Sequence, residues 1–354
     1  MNRRQAIAGS IAMAASSTIA SASSGRFHVP AEEHPHELTF MQWPVNLSDY
    51  SGDRTFLRLT QNTIADIANT VSEFEPVIIL AAKADQPGAR KKLSASVKLW
   101  DIPTDDLWTR DSGPIFMIDG KGGRAISHIQ FNGWGRKASS RRDSKIAKRV
   151  AKRLGMDLKP TGLKGEGGST EQDGKGLLIA HESSWVNRNR NPGQSRSNIE
   201  ARLLRAYGAD RVIWAPGVKG LDVTDYHIDS LARFTPNGRV LMNLPDDPIP
   251  GEPFHDAALE THDILKAASL KIDVIPEPNR RRVASEDFVA SYVNYYVCNG
   301  GVVAPQFGDR ETDKEALRAL RRHYPGREIV QLNTDILGEN GGGIHCATQQ
   351  MPAA

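Results

Sequence analysis

The chain has 354 residues, of which 39% are hydrophobic and 25% charged, and its formal net charge is +3. That is enough apolar sequence for a full core, which excludes a disordered chain of low hydrophobicity. The basic residues are dispersed apart from short runs such as Arg141-Arg142 and Arg280-Arg281-Arg282, with no basic stripe interleaved with aromatics, so no nucleic-acid partner is expected.

Met1-Asn2-Arg3-Arg4 precedes a weakly apolar Ala/Ser-rich stretch from Ala6 to Ala20, and Ala20-Ser21-Ala22 supplies a small-x-small cleavage site. Residues 1–22 therefore read as an export signal of the twin-arginine kind, and the mature protein is expected in the periplasm or outside the cell. No later segment has the length of apolar sequence that a membrane span needs. From Val29 to Pro44 a proline-punctuated stretch leads into a short apolar strand, with His34 and His36 read as structural.

Phe56, Leu59, Ile64, Ile67 and Val71 recur at helical spacing, which predicts a helix over residues 53–75, and Pro76 then starts a strand at 77–80. The unit recurs. A charged helix is predicted over 83–97, strands at 115–118 and 126–131, and a basic amphipathic helix over 144–154. A strand at 176–181, a helix at 196–207 and a strand at 212–214 follow. Residues 231–244 read as a hairpin turned at Asn237-Gly238, and 292–306 as another turned at Asn299-Gly300. Thr312 and Glu315 have the spacing of a capping box. Helices and hairpins alternate with no linker, so 23–354 is expected to be one α/β domain of repeated mixed units.

Two cysteines in an exported chain would ordinarily suggest a disulfide. Cys298 lies in a strand-like run and reads as a packed thiol, whereas Cys346 follows the glycine triplet Gly341-Gly342-Gly343 and reads as a free nucleophile. Ile344, Cys346 and Thr348 alternate with His345, Ala347 and Gln349, predicting a short strand that turns His345 away from the sulfur. The base for Cys346 must then come from elsewhere. His227 and Asp229, two apart on an extended segment, share a face and can offer an imidazole and a carboxylate to one site. With Asp111 in WTRDSGP and Glu166 in GEGGS, the set repels anions and suits a cation. A guanidinium, which carboxylates grip in bidentate fashion, fits best, and Trp108 offers a stacking face. Glu166 also argues against a phosphate loop at 162–168.

In this order the motifs VPAEEHPHELTFMQWP, WTRDSGP, FNGWG, GEGGS, HESSWVNRNRNPGQSR, TDYHID, VCNGGVVAPQFGD and GGGIHCATQQMP resemble the agmatine deiminase family, also called the bacterial peptidylarginine deiminase family, of the guanidino-group-modifying superfamily. The resemblance covers nearly the whole mature chain. It implies a pentein α/β propeller of five ββαβ-like units around a central site. It also implies Cys346 as nucleophile, His227 as general acid/base, and Asp111 and Asp229 as guanidinium-binding carboxylates. Trp108, Glu166 and Asn294 are the substrate-binding candidates. The implied reaction is hydrolysis of agmatine through a covalent thiouronium, without metal or organic cofactor, on a small cationic guanidino substrate. A homo-oligomer is compatible with the sequence. The family's agmatine enzymes commonly have Gly where Tyr226 stands, Asn where Gly343 stands, and an aromatic-rich segment where Arg136 to Arg142 are basic. Arg141 and Arg142 would suit a carboxylate, which makes a peptidylarginine deiminase acting on C-terminal arginine the alternative. A non-catalytic polyamine-binding protein is the reading without chemistry.

Overall fold

Five small sheets repeat one plan in the computed structural model, which describes residues 25–354 except 284, 286 and 287. The predicted leader, 1–22, lies outside the described residues. Strands run in chain order as β1 (His36–Gln42), β2 (Val77–Ala81), β3 (Lys98–Asp101), β4 (Ile115–Ile118), β5 (Arg124–Gln130), β6 (Asp157–Lys164), β7 (Thr170–Gln172) and β8 (Leu177–His181). They continue as β9 (Arg211–Ala215), β10 (Ala232–Phe234), β11 (Val240–Leu244), β12 (Ile272–Pro276), β13 (Tyr296–Cys298), β14 (Gly301–Gln306), β15 (Glu328–Asn333) and β16 (Thr348–Pro352).

In each unit two antiparallel strands are joined by a tight turn, and a third strand runs parallel to the second: β4-β5-β6, β7-β8-β9, β10-β11-β12 and β13-β14-β15. The turns after β10 and β13 fall at the predicted Asn-Gly pairs, where Gly238 and Gly300 take φ of 73° and 80°. A parallel strand cannot follow a tight turn, so a helix makes each crossover. These helices are α1 (Arg54–Val71), α2 (Ile146–Leu154), α3 (Arg196–Tyr207), α4 (Pro253–Ala267) and α5 (Arg310–His323). Asp53 caps α1 by accepting from the backbone of Thr55 and Phe56, and Ile64, Ile67, Ala68 and Val71 bury its inner face.

The first unit differs in two respects, its antiparallel partner and a fourth strand, β3. Its antiparallel partner comes from the other end of the chain: β16 pairs with β1, with Phe40 opposite Gln349, and β2 and β3 follow in parallel. The C-terminal strand thus closes a ring of five ββαβ units, the expected propeller. Among the described residues no helix is long and apolar enough to cross a membrane.

Three local expectations are corrected. The helix predicted over 83–97 is confined to Gln86–Arg90, because Pro87 and Gly88 in its first turn and the Ser94–Ser96 turn leave it nothing to extend into. Helix α5 is capped by Asp309, which accepts from the backbone of Glu311, so Thr312 lies inside the helix and its hydroxyl meets the Tyr292 hydroxyl at 2.7 Å. Cys346 lies in a turn just before β16 rather than in a strand, since Ala347 N and Thr348 N donate back to Ile344 and His345.

Candidate active site

Each link from the third strand of one unit to the first strand of the next brings a polar group to the centre of the ring. The links carry Asp111, Glu166, His227 with Asp229, Asn294 and Cys346 in turn. All six of these side chains are buried. Asp111 sits in the helical turn Thr109–Ser112, whose Arg110 N donates to Cys346 O at 3.0 Å and so ties the first link to the last. Glu166 opens the turn Gly167–Ser169.

Gly168 stands at the middle. A Cβ there would lie 2.8 Å from Asp111 Oδ1, 2.8 Å from His227 Nδ1 and 3.0 Å from Asp229 Oδ2, so any side chain would fill the space among the three. Its backbone N–H donates to Asp111 Oδ1 at 3.0 Å, and the Trp134 indole N–H donates to Asp111 Oδ2 at 2.8 Å. Both oxygens of this carboxylate are therefore oriented.

His227 and Asp229 reach the centre through a constrained backbone. Asp225 and Tyr226 have φ of 60° and 68°, in the left-handed region that costs a residue with a side chain about 1 kcal/mol or more. Here the conformation is held by Asp225, which accepts from Gly220 N and pairs with Arg190 and Lys137, and by the Tyr226 ring stacked on His181 at 4.9 Å. His227 follows in extended conformation and Asp229 falls in the next 3-10 turn, so the two share the site although the segment between them is not a strand.

Cys346 Sγ is 3.2 Å from Asn294 Nδ2 and 3.5 Å from both Asp229 Oδ2 and Asn294 Oδ1. Asn294 Oδ1 also accepts from His345 N at 2.9 Å, so this amide clamps the turn that carries the sulfur. Gly343 allows the clamp: a Cβ there would lie 2.5 Å from Asn294 Oδ1. His345, the neighbour of the nucleophile, makes no hydrogen bond to the sulfur. Its ring lies between Asp229 and Glu32.

Several groups here carry resolved shifts in acidity, and burial with the Arg110 and Arg233 charges pushes the His345 imidazolium below its ordinary value. Burial pushes the Cys346 thiol well above its ordinary value, and the Asp229 and Asp111 carboxylates push it further, so the empty site holds a thiol. Burial works against a charged His227, but Asp111, Glu166 and Asp229 outweigh it and raise the imidazolium to about 9. Burial raises Asp111 to about 6 despite the opposing His227 charge. Burial also works against an ionised Asp229, but its contact with His345 and the charges of His345, His227 and Arg233 hold it below the ordinary carboxylate value. Asp229 Oδ1 is buried and has no hydrogen-bond partner among the described residues, an acceptor that costs about 1–3 kcal/mol until a donor meets it.

The structure brings Cys346, His227, Asp229 and Asp111 together around one small space. It gives the other three candidates different surroundings. Glu166 is fully buried, gripped by Arg190 Nε at 2.8 Å, and 3.4 Å from His227 Nε2, so it faces the histidine rather than an open pocket. The Trp108 ring packs on Gly342, where a Cβ would lie 2.5 Å from it, which puts the indole against the Cys346 link. Asn294 contacts the sulfur. Two of the basic groups beyond FNGWG are engaged: Lys137 Nζ is 2.9 Å from Asp225, and Arg142 Nη1 donates to Thr104 O at 3.1 Å, whereas Arg136 and Arg141 are exposed. The two cysteines are both free.

Sequence reasoning missed Trp134, Arg190, Arg233, Glu32 and the part played by His345. Trp134, Arg190 and Glu32 fall inside the quoted motifs, but their partners lie far along the chain. Among the described residues no three His, Cys, Asp or Glu side chains are gathered as a metal ion would require.

The family profile described as Porphyromonas-type peptidyl-arginine deiminase matches residues 28–352. The agmatine deiminase of Stutzerimonas stutzeri is 34% identical over 92% of this chain and 96% of its own length. That of Medicago truncatula is 31% identical over 92% of this chain and 96% of its own. A solved structure of the agmatine deiminase of Enterococcus faecalis, described as catalysing its reaction, superimposes with a TM-score of 0.81 at 26% identity, covering 92% of this chain and 96% of that one.

Proposed function

Because the chain belongs to the Porphyromonas-type peptidyl-arginine deiminase family, we propose that it is a guanidine deiminase that hydrolyses agmatine to N-carbamoylputrescine and ammonia. The observation that carries this reading is the unpartnered Asp229 Oδ1, which with Asp111 flanks Cys346 and His227 in a buried site built for a cation.

The chemistry follows from the electrostatics. A guanidinium held by Asp111 and Asp229 cancels the two charges that keep Cys346 protonated, so with substrate in place the thiol gives its proton to solvent and the thiolate forms. It attacks the guanidinium carbon. His227, protonated at neutral pH, gives its proton to the departing nitrogen, and ammonia leaves an S-alkylthiouronium on Cys346. His227, now neutral, takes a proton from water as the oxygen adds to that carbon. Expulsion of the thiolate, which takes up the hydroxyl proton, then releases the neutral ureido product and restores the thiol. Glu166, held by Arg190, supports the charge on His227 through both of these proton transfers.

Action on a C-terminal arginine is not favoured, since the similar curated enzymes are agmatine deiminases and Arg142, one of the two arginines that would suit a carboxylate, is already bonded to Thr104 O. The test is release of ureido product and ammonia from agmatine, free arginine and a short peptide ending in arginine. Agmatine is expected to be turned over at least about tenfold faster than the others, about 1.4 kcal/mol of discrimination; faster turnover of the peptide would reverse the assignment. Removal of the carbamoyl group from the product would give putrescine, which puts the proposed reaction in polyamine metabolism.

Export is proposed on the composition of residues 1–22, and the family match begins after them, at residue 28. Replacing Arg3 and Arg4 with lysine is expected to leave the protein in the cytoplasm on fractionation. An unchanged distribution would oppose a twin-arginine route.

A further inference from the structure

Asp229 is held from behind by a buried chain that the chemistry above does not use. His345 Nδ1 is 2.8 Å from Asp229 Oδ2, and His345 Nε2 is 2.8 Å from Glu32 Oε2. Both ring nitrogens face carboxylate oxygens at hydrogen-bonding distance. A neutral imidazole has a single N–H, so it would satisfy one of these oxygens and turn a lone pair on the other.

Neither carboxyl group is a good seat for the missing proton. Glu32 accepts from Arg110 Nη2 at 3.2 Å and from Val297 N at 2.9 Å, and pairs with Arg233 Nη2 at 2.9 Å. Although burial opposes it, Glu32 is held well below the ordinary range, chiefly by Arg233 and, apart from His345 itself, by Arg110. Asp229 is held below the ordinary carboxylate value too, and His227 and Arg233 contribute to that besides His345. The remaining seat is the ring. Burial and the Arg110 and Arg233 guanidiniums outweigh the two carboxylates and lower the His345 imidazolium below its ordinary value. Against that stands the contact geometry: each ring nitrogen lies 2.8 Å from a carboxylate oxygen, and a lone pair turned on either oxygen would be repelled, so the donor count favours the cation.

We propose that His345 is a positioning residue protonated on both nitrogens, and that with Glu32 behind it, it fixes Asp229 as an ionised acceptor whose Oδ1 is left free for the guanidinium. A carboxylate with one oxygen tied by a charged donor cannot rotate, and its free oxygen is presented in one orientation. The cation also cancels charge beside Cys346. Together these make the site selective for a substrate that brings a donor to Oδ1. The catalytic part of this inference rests on the deiminase reading; the protonation of His345 does not.

The test combines kinetics with a direct observation of the ring. His345→Asn can keep a neutral donor near Asp229, and Glu32→Gln keeps the shape but removes the charge that supports the imidazolium. Each is expected to lower kcat/KM for agmatine about 10–100-fold, the range seen when the partner that orients a binding group is lost. Each is also expected to steepen the acid limb of the kcat/KM profile, which in the wild type follows Asp111, because Asp229 loses the cation that keeps it ionised and its own protonation enters the same pH range. A merely structural role would lower the yield of folded enzyme and leave the profile of the remainder in place, so an acid limb of unchanged slope overturns the proposal. Nitrogen-15 NMR of histidine-labelled wild-type protein, assigned with His345→Asn or, should that variant not fold, through Glu32→Gln, should show two protonated ring nitrogens for His345 at neutral pH. A single bare nitrogen also overturns it. Failure of the deiminase reading registers separately, as absence of product from the wild type.

Discussion

Cys346→Ser is expected to lower agmatine turnover by roughly 10⁴-fold or more while agmatine still binds, because removal of a covalent nucleophile costs rate on this scale. The substitution exchanges one atom in a buried turn, and the Asn294 amide that clamps the turn can hydrogen-bond an oxygen as it does the sulfur. The fold has no reason to fail. A serine hydroxyl is far harder to ionise than a thiol, and the guanidinium that lowers the thiol's pKa is not enough to give an alkoxide. Binding depends on Asp111 and Asp229, which remain. The measurement is steady-state ammonia release beside calorimetric titration with agmatine. Turnover within about tenfold of wild type would remove Cys346 from the mechanism.

His227→Gln is expected to cost about 10²–10⁴-fold in kcat/KM, the usual contribution of a positioned acid/base. The pH profile distinguishes this role from a structural one. In the wild type Asp111, raised to about 6, must be ionised to hold the cation, so activity falls as pH drops through that value. His227, raised to about 9, must be protonated to release ammonia, so activity falls as pH rises through that value. The expected kcat/KM profile is a bell between them, reporting the free enzyme. In His227→Gln the alkaline limb should vanish. The acid limb should move up, because the imidazolium that opposes the rise of Asp111 is gone. An alkaline limb that persists at the same pH in the variant would assign it to another group.

The residues that announce themselves along the chain are those whose signal is local. The Asn237-Gly238 and Asn299-Gly300 turns were legible because each hairpin needs one left-handed residue, which the glycine supplies, and helices α1 and α3 because their apolar spacing is carried by their own residues. Strand β6, with the sequence DLKPTGLK, carries no apolar alternation and is exposed along much of its length, so neither periodicity nor propensity marks it. The alternation around Cys346 pointed to a strand and was misleading: backbone bonds from Ala347 and Thr348 back to Ile344 and His345 bend those residues into a turn.

The same contrast holds in the site. Cys346 behind a glycine triplet and the His227/Asp229 pair stand out as unusual local patterns, and the ordered motifs of the resemblance joined them to Asp111. Trp134, Arg190, His345 and Glu32 act across the ring. Glu32 meets His345 only because β16 closes the first sheet, a contact between residues at opposite ends of the domain. Glu166 was placed against the substrate by its motif alone, but its carboxylate is taken by Arg190 and turned to His227. Gly168 gave no signal, and its importance is a matter of three side chains crowding one Cα.

The central claim is that guanidine hydrolysis passes through a bond to Cys346. Rapid acid quenching of wild-type enzyme during agmatine turnover, followed by intact-mass measurement and peptide mapping, tests it most directly. The expected result is a transient adduct with the mass of agmatine less ammonia, located on Cys346 and absent from Cys346→Ser. Full-rate product formation with no adduct at any quench time, or with the adduct on another residue, would contradict it.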